Sequence, residues 1–219
     1  MARITRIVVP GYPHHIIQRG NRRMKTFFQE EDYREYINLM SEWCRGYNIK
    51  ILAYCLMPNH IHLIAVPKEE TGLARGIGEA HRRYTRYINF RKNWRGFLWQ
   101  GRFSSCVMDG RHVMMAARYI EMNPVRAGLV RKAEDYEWSS ARAHMRGRDD
   151  KLVSVKPLLK RVESWRSFLD IALKADEMRE LQYHERTGRP MGKEEFVRKI
   201  EGNLKRKLAL RPPGRPRIQ

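Results

Sequence analysis

His60 and His62 stand two apart in the run Met57-Pro58-Asn59-His60-Ile61-His62-Leu63-Ile64. If the run is a strand, alternation projects both imidazoles from one face and sends Ile61 and Leu63 into the opposite layer. Two neighbouring imidazoles on an open sheet face can share one divalent ion. A structural zinc site takes four ligands, so a third donor must come from elsewhere, and positions must stay open for substrate and water. The segment Arg118-Tyr119-Ile120-Glu121-Met122-Asn123-Pro124 offers that donor. On a helix, Tyr119 and Asn123 sit one above the other. An Asn carbonyl is a hard oxygen ligand for Mg²⁺ or Mn²⁺. A Tyr hydroxyl beside such an ion is a nucleophile towards a phosphodiester. Taken alone, each piece also has an ordinary reading: surface histidines on a solvated sheet, a half-buried tyrosine, and an asparagine capping a helix before proline.

The surrounding pattern supplies elements to hold these residues. Pro10, Gly11 and Pro13 lead into a short strand at 14–18, which Gly20-Asn21 closes. A helix over 31–47 follows, because Tyr36, Leu39, Met40 and Trp43 recur at three- and four-residue steps. Strands at 50–57 and 60–66 flank Pro58-Asn59 as a hairpin, the second ended by Pro67. A helix over 71–90, a strand at 103–108 and a helix over 111–122, terminated by Pro124, complete the series. Val113, Ala117 and Ile120 form the stripe of the last helix that packs on the sheet. The order is that of an α+β, ferredoxin-like split βαββαβ antiparallel sheet with one added helix, which carries Tyr119. This first domain closes within residues 1–147, and Gly147 to Asp150 reads as a linker. Over 148–210, Trp165, Phe168, Leu169, Ala172 and Leu173 mark one helix and Phe196, Ile200 and Leu204 another, around Thr187-Gly188-Arg189-Pro190. Such a small helical module suggests a helix-turn-helix-like DNA reader.

Charge points to a polyanionic partner without choosing which. The chain has 219 residues, with 44 Lys+Arg against 24 Asp+Glu, a formal net charge of +20. Nucleic acid is the first candidate partner and an anionic membrane surface the second. The longest apolar run, Ile51 to Met57, is far short of the ~20 residues a membrane span needs, and Arg3 and Arg6 precede no secretory apolar stretch. Three cysteines without a Cys-x-x-Cys spacing disfavour a disulfide scaffold and fit a reducing cytoplasm. No acid falls between Glu79 and Asp109, an interval that holds Arg82, Arg83, Arg86, Arg91, Lys92, Arg95 and Arg102. Tyr84, Tyr87, Phe90, Trp94, Phe97, Trp99 and Phe103 interleave with them, and aromatics on a basic groove stack unpaired bases. Tyr84, Tyr87 and Phe90 fit core packing slightly better, whereas Trp94 and Trp99, in a polar connection, point to DNA. The tail 211–219 carries Gly214-Arg215-Pro216-Arg217, similar to an AT-hook core that fits the narrow A·T minor groove; a plain basic tail is an equal reading.

The His60/His62 segment resembles the His-hydrophobe-His segment of single-tyrosine transposases. The run Arg118-Tyr119-Ile120-Glu121-Met122-Asn123-Pro124-Val125-Arg126-Ala127-Gly128-Leu129 resembles the matching tyrosine segment in its REP-associated form. Further likeness lies in Gln18-Arg19-Gly20-Asn21, Leu98-Trp99-Gln100-Gly101-Arg102-Phe103, Tyr136-Glu137-Trp138-Ser139-Ser140 and Thr187-Gly188-Arg189-Pro190. On these motifs the chain is identified as a member of the REP-associated tyrosine transposases, a branch of the IS200-like superfamily. The resemblance implies a single-strand DNA nuclease and transferase, active near palindromic repeats that fold as hairpins. It implies Tyr119 as nucleophile, a 5′-phosphotyrosine intermediate, and Mg²⁺ or Mn²⁺ held by His60, His62 and Asn123. It also implies single-stranded or hairpin DNA as partner, no small-molecule cofactor, a cytoplasmic, nucleoid-associated protein, and a monomer, although related transposases are dimers. Two other classes stay open from the residues alone: a metal phosphodiesterase that uses water at the same histidines, and a DNA- or RNA-binding regulator without chemistry.

Overall fold

The computed structural model describes residues 6–208. Four strands form one antiparallel sheet: β1 (His14–Arg19), β2 (Ile49–Met57), β3 (His60–Pro67) and β4 (Ser104–Val107). The spatial order is β2-β3-β1-β4, the ferredoxin-like arrangement. Helices α1 (Glu30–Gly46) and α2 (Gly72–Lys92) cover one face. The start of α1 is fixed by a reciprocal cap between Gln29 and Asp32 and by three acidic residues in its first turn. Its buried stripe, Tyr36, Leu39 and Met40, meets Ile61 and Leu63 from β3 and Leu73, Ile77 and Tyr84 from α2. Gly76 lets the two helices close up: a Cβ there would lie 2.6 Å from Ile49 Cδ1 and 3.2 Å from Trp43 O. An ion pair from the partly exposed Arg91 to the buried Asp32, at 2.7 Å, crosses from α2 to α1.

The opposite face is not open, as the sequence suggested for the histidine pair. Helix α3 (Gly110–Glu121) starts where the Asp109 side chain accepts from the His112 amide, and it packs Val113, Ala117 and Ile120 onto Ala53, Cys55 and Ile64. Pro124 does not simply end this helix. It opens a further turn, α4 (Asn123–Arg126), where a missing amide donor costs nothing. The chain continues through α5 (Ala141–Arg146), α6 (Lys156–Leu159), α7 (Trp165–Asp170), α8 (Ala175–Thr187) and α9 (Glu194–Leu204). Leu158, Trp165, Phe168, Leu169 and Leu181 join the same apolar cluster as α3. The Gly147–Asp150 segment is a structured turn: Asp150 Oδ1 accepts from the Leu152 and Val153 amides, and Tyr54 donates to its other oxygen.

The C-terminal helices differ from the sequence reading. The first ends at Asp170, short of Ala172 and Leu173, and the helix before the Thr187–Pro190 turn is α8, which the apolar periodicity did not mark. Gly188 closes α8 at φ 69°, the left-handed region glycine tolerates. The chain then runs beside β4, with Met191 N donating to Val107 O at 2.8 Å. That contact fixes α8 against the sheet edge, next to β1 and β4.

Candidate active site

The β1–β3 register decides which side chains meet. Ile17 pairs with His62 and Arg19 with His60. Residues directly opposite in an antiparallel pair share a face, so His15, two before Ile17, lies diagonally beside His62 on the face that α3 covers. His15 Nε2 and His62 Nδ1 are 3.0 Å apart in one hydrogen bond. His60 uses Nδ1 for Asn59 Oδ1 at 2.6 Å, which leaves Nε2 towards the Asn123 amide, 3.5 Å away. The Tyr119 ring stands edge-on to His62, with centroids 5.6 Å apart. His60, His62, Tyr119 and Asn123, predicted from two separate segments, are therefore brought together.

The electrostatics suit ligands rather than cations. Burial, helped by Arg19, pushes the His60 imidazole down to about 4, and His62 lies well below its ordinary range for the same reasons, with His15 and His60 adding to the effect. Both are neutral at pH 7, the form that binds metal. Asn123 presents Nδ2 to His60 Nε2 and Oδ1 to Arg126, so an oxygen turned towards His60 would have to leave the Arg126 bond. Two neutral imidazoles and an amide are donor types that fit the divalent ion the fold family implies. Burial raises the Tyr119 phenol, as does Glu185; Arg126, Arg19 and a hydrogen bond with Gln182 pull it back. The Arg126 guanidinium lies 4.2 Å from the Tyr119 ring centroid, donates to Tyr119 O at 3.0 Å and reaches Asn123 Oδ1 at 3.3 Å. One arginine therefore braces both the phenol and the amide.

Tyr119 lines a cleft of about 670 Å³ with Arg19, Arg102, Gln182, Glu185 and Arg186. The three guanidiniums make that cleft basic. The sequence reading missed His15, Arg126, Gln182 and Glu185. For His15 a signal existed in strand alternation, but using it required the β1–β3 register. Helix α8 is polar over most of its length, with Leu181 its buried apolar residue, and gave no periodic signal for Gln182 or Glu185.

The basic–aromatic stretch is reordered by the fold. Tyr84 is fully buried and donates to Thr26 O, and Trp99 is 6% exposed with its indole aimed at His81 O. Both are core residues, and neither can stack a base. Tyr87 packs partly against the core. Phe90 and Phe97, by contrast, are 92% and 86% exposed, and Trp94 is half-exposed. Phe90 and Phe97 border a groove of about 590 Å³ with Arg82, Arg86 and Asn89. Arg82 and Arg83 pair with Glu79, Arg91 with Asp32, and Lys92 lies 4.7 Å over the Phe28 ring. Arg83, Arg86, Lys92, Arg95 and Arg102 are exposed. Arg215 and Arg217 lie outside the described residues.

Residues 9–123 match the family described as Transposase IS200 like. A Haemophilus influenzae protein, named as a REP-associated tyrosine transposase, is 29% identical over 121 residues, 50% of this chain and 69% of that protein. A solved structure, of a REP-associated tyrosine transposase bound to a REP hairpin, superposes with a TM-score of 0.58 at 21% identity, covering 70% of this chain and 92% of that one. The match spans β1 through Asn123, the stretch that carries both histidines and the tyrosine, and the chain belongs to the family of IS200-like transposases.

Proposed function

We propose that this chain cleaves and rejoins single-stranded DNA through a covalent bond to Tyr119, at repeats that fold as hairpins. The observation that supports it best is convergence. Tyr119 from α3 stands edge-on to His62 from β3, beside a His60–Asn123 pair, in a cleft lined by arginines. The solved relative's REP hairpin suggests the substrate.

In this reading Arg19, Arg102 and Arg186 hold the strand by its phosphates. The Tyr119 oxygen attacks phosphorus in line with the departing O3′. The phosphorus–O3′ bond breaks as the phosphorus–Tyr bond forms, so a free 3′-hydroxyl leaves and the 5′ side stays on the enzyme. The phenol proton must leave as attack proceeds, because a neutral phenol, with its ordinary value near 10, is a weak nucleophile. Arg126 over the ring favours the phenolate that forms. His60, His62 and Asn123 would hold Mg²⁺ or Mn²⁺, which when bound polarises a non-bridging phosphate oxygen. The phosphotyrosine keeps the ester energy, so a second 3′-hydroxyl can reverse the step and join new strands without ATP.

The test is incubation with single-stranded hairpin DNA and Mg²⁺ or Mn²⁺, resolved on a denaturing gel. Wild type should give a protein–DNA adduct, and Tyr119→Phe should bind the hairpin with unchanged affinity yet form none. Cleavage that survives Tyr119→Phe with a free 5′-phosphate would show that water, not Tyr119, is the nucleophile. Binding indifferent to chelator, with no scission by wild type, would leave a regulator without chemistry.

A further inference from the structure

We propose that His15, His62 and Glu185 form a binding site for a divalent transition-metal ion, distinct from the His60, His62 and Asn123 set. The three donors come from β1, β3 and α8. His15 Nε2 lies 3.0 Å from His62 Nδ1, and Glu185 Oε1 lies 3.8 Å from the first and 3.7 Å from the second. Three points at those separations have a common centre about 2.1 Å from each, which is the length of a zinc–nitrogen or zinc–carboxylate bond. Shifts of a few tenths of an ångström would bring the three atoms from this planar arrangement to the separations of a tetrahedral site.

Burial gives a second, independent reason. All three side chains are less than a tenth exposed. Glu185 Oε1, the carboxylate oxygen that faces both imidazoles, finds no hydrogen-bond partner among the described residues. The nearest cation, Arg19, stands 3.9 Å from the other Glu185 oxygen and is itself half in solvent. A buried carboxylate aimed at two imidazoles, with no donor proton assured for it, is costly unless a cation satisfies all three. The donor set also selects the ion. Two imidazoles and one carboxylate suit zinc or manganese, whereas magnesium prefers oxygen ligands and keeps its waters.

The two donor sets share His62. An imidazole coordinates one ion through one nitrogen while the other nitrogen carries its proton, so the sets compete and the chain holds one ion at a time. His15 and Glu185 would then be ligands in the DNA-free protein, and the ion would tie α8 to the β1–β3 pair. Glu185 lies beyond the residues matched by the family, so this ligand belongs to the C-terminal part of the chain. The site does not depend on Tyr119 acting as a nucleophile.

Calorimetric titration of the metal-stripped full chain with Zn²⁺, in the absence of DNA, tests this directly. One ion should bind per chain. Glu185→Gln and His15→Ala should each weaken binding by at least about tenfold, while His60→Ala and Asn123→Ala should leave it within about threefold. Thermal unfolding gives a second readout: Zn²⁺ should raise the midpoint of wild type, His60→Ala and Asn123→Ala alike, and raise that of Glu185→Gln clearly less, by what the His60, His62 and Asn123 set alone supplies. Wild-type affinity in both Glu185→Gln and His15→Ala would overturn the proposal. So would a loss in His60→Ala or Asn123→Ala as large as that in Glu185→Gln. These outcomes leave adduct formation by Tyr119 to be judged on its own gel.

Discussion

Arg126 shows how one side chain couples two others. Its guanidinium lies over the Tyr119 ring and also reaches Asn123 Oδ1. Its charge favours the phenolate and so holds the Tyr119 phenol lower than burial alone would. Removing it raises the phenol and frees the Asn123 amide. Arg126→Ala should therefore slow adduct formation by about 10- to 100-fold and move the rise of rate with pH upwards. Arg126→Lys keeps the charge but loses the planar fork, so it should fall between the two. Single-turnover rates measured from pH 6 to 9 check both statements; an unshifted profile in Arg126→Ala would mean the arginine only orders the helix. At this scale the grouping of His60, His62, Tyr119 and Asn123 was legible because the two runs that carry them resemble transposase segments; their spacing alone left surface histidines and a helix cap as ordinary readings. Arg126 was hidden among 44 basic residues, since nothing in one arginine's neighbours says which ring it covers.

The helix that carries Tyr119 is held by a buried polar clamp at its C-terminal end. Glu121 is fully buried and accepts from Ser140 Oγ, His144 Nδ1 at 2.7 Å and Trp165 Nε1 at 2.8 Å. His144 stacks on Trp165 with centroids 4.1 Å apart. The clamp joins α3 to α5 and α7 two residues from Tyr119. Glu121→Ala strands three donors in the interior and should cost about 3–5 kcal/mol, read as a lowered urea midpoint with unchanged slope. Glu121→Gln keeps acceptor capacity and should cost less. Equal stability of Glu121→Ala and wild type would show that water fills the gap. Elements were legible to the extent that their burial is periodic. Helices α1 to α3 repeat at three- and four-residue steps, and the strands read as short, nearly continuous buried runs because helices cover both faces of the sheet. Within α2, Ile77, Ala80, Tyr84 and Ile88 lie on one buried stripe, whereas Phe90, six residues past Tyr84, points about 240° away and into solvent. Counting that angle would have separated them from sequence. Trp99 could not be placed so, because it sits in a connection without a period. Helix α8 was unreadable for a related reason: it rests on the sheet edge with a polar surface, so its sequence carries no stripe.

Over the whole molecule, two long-range properties follow from where charge is put. The first is acid sensitivity. His81 is buried beside Arg6 and Tyr36, and burial, with Arg6 adding to it, pushes it down to about 3. Its unfolded value is about 6.5. The folded state therefore refuses a proton that the unfolded chain accepts, so stability is full above about 6.5 and is lost as pH falls towards 3. His14, pushed down to about 4 by burial, works in the same direction, and Glu185, raised to about 7, in the opposite one. Urea unfolding at pH 7.5 and pH 5 should show wild type losing about 2 kcal/mol more than His81→Gln, the part owed to that one proton. The second property is the way the basic excess would meet DNA under the proposed function. Phe90 and Phe97 are exposed at one groove beside Arg82 and Arg86, and in that reading the rings would stack bases and the arginines would carry the electrostatic part of binding. Stacking is insensitive to salt, and phosphate contact is not, because each contact releases bound counterions. Phe90→Ala with Phe97→Ala should then weaken single-strand binding by about 1–3 kcal/mol per lost stack at every salt concentration, leaving the slope of log affinity against log salt unchanged. Arg86→Ala should instead reduce that slope by about 0.7, the value for one phosphate on a single strand. Fluorescence anisotropy with a short oligonucleotide between 50 and 300 mM salt separates the two, and a slope altered by the phenylalanine pair would place the strand elsewhere on the basic surface.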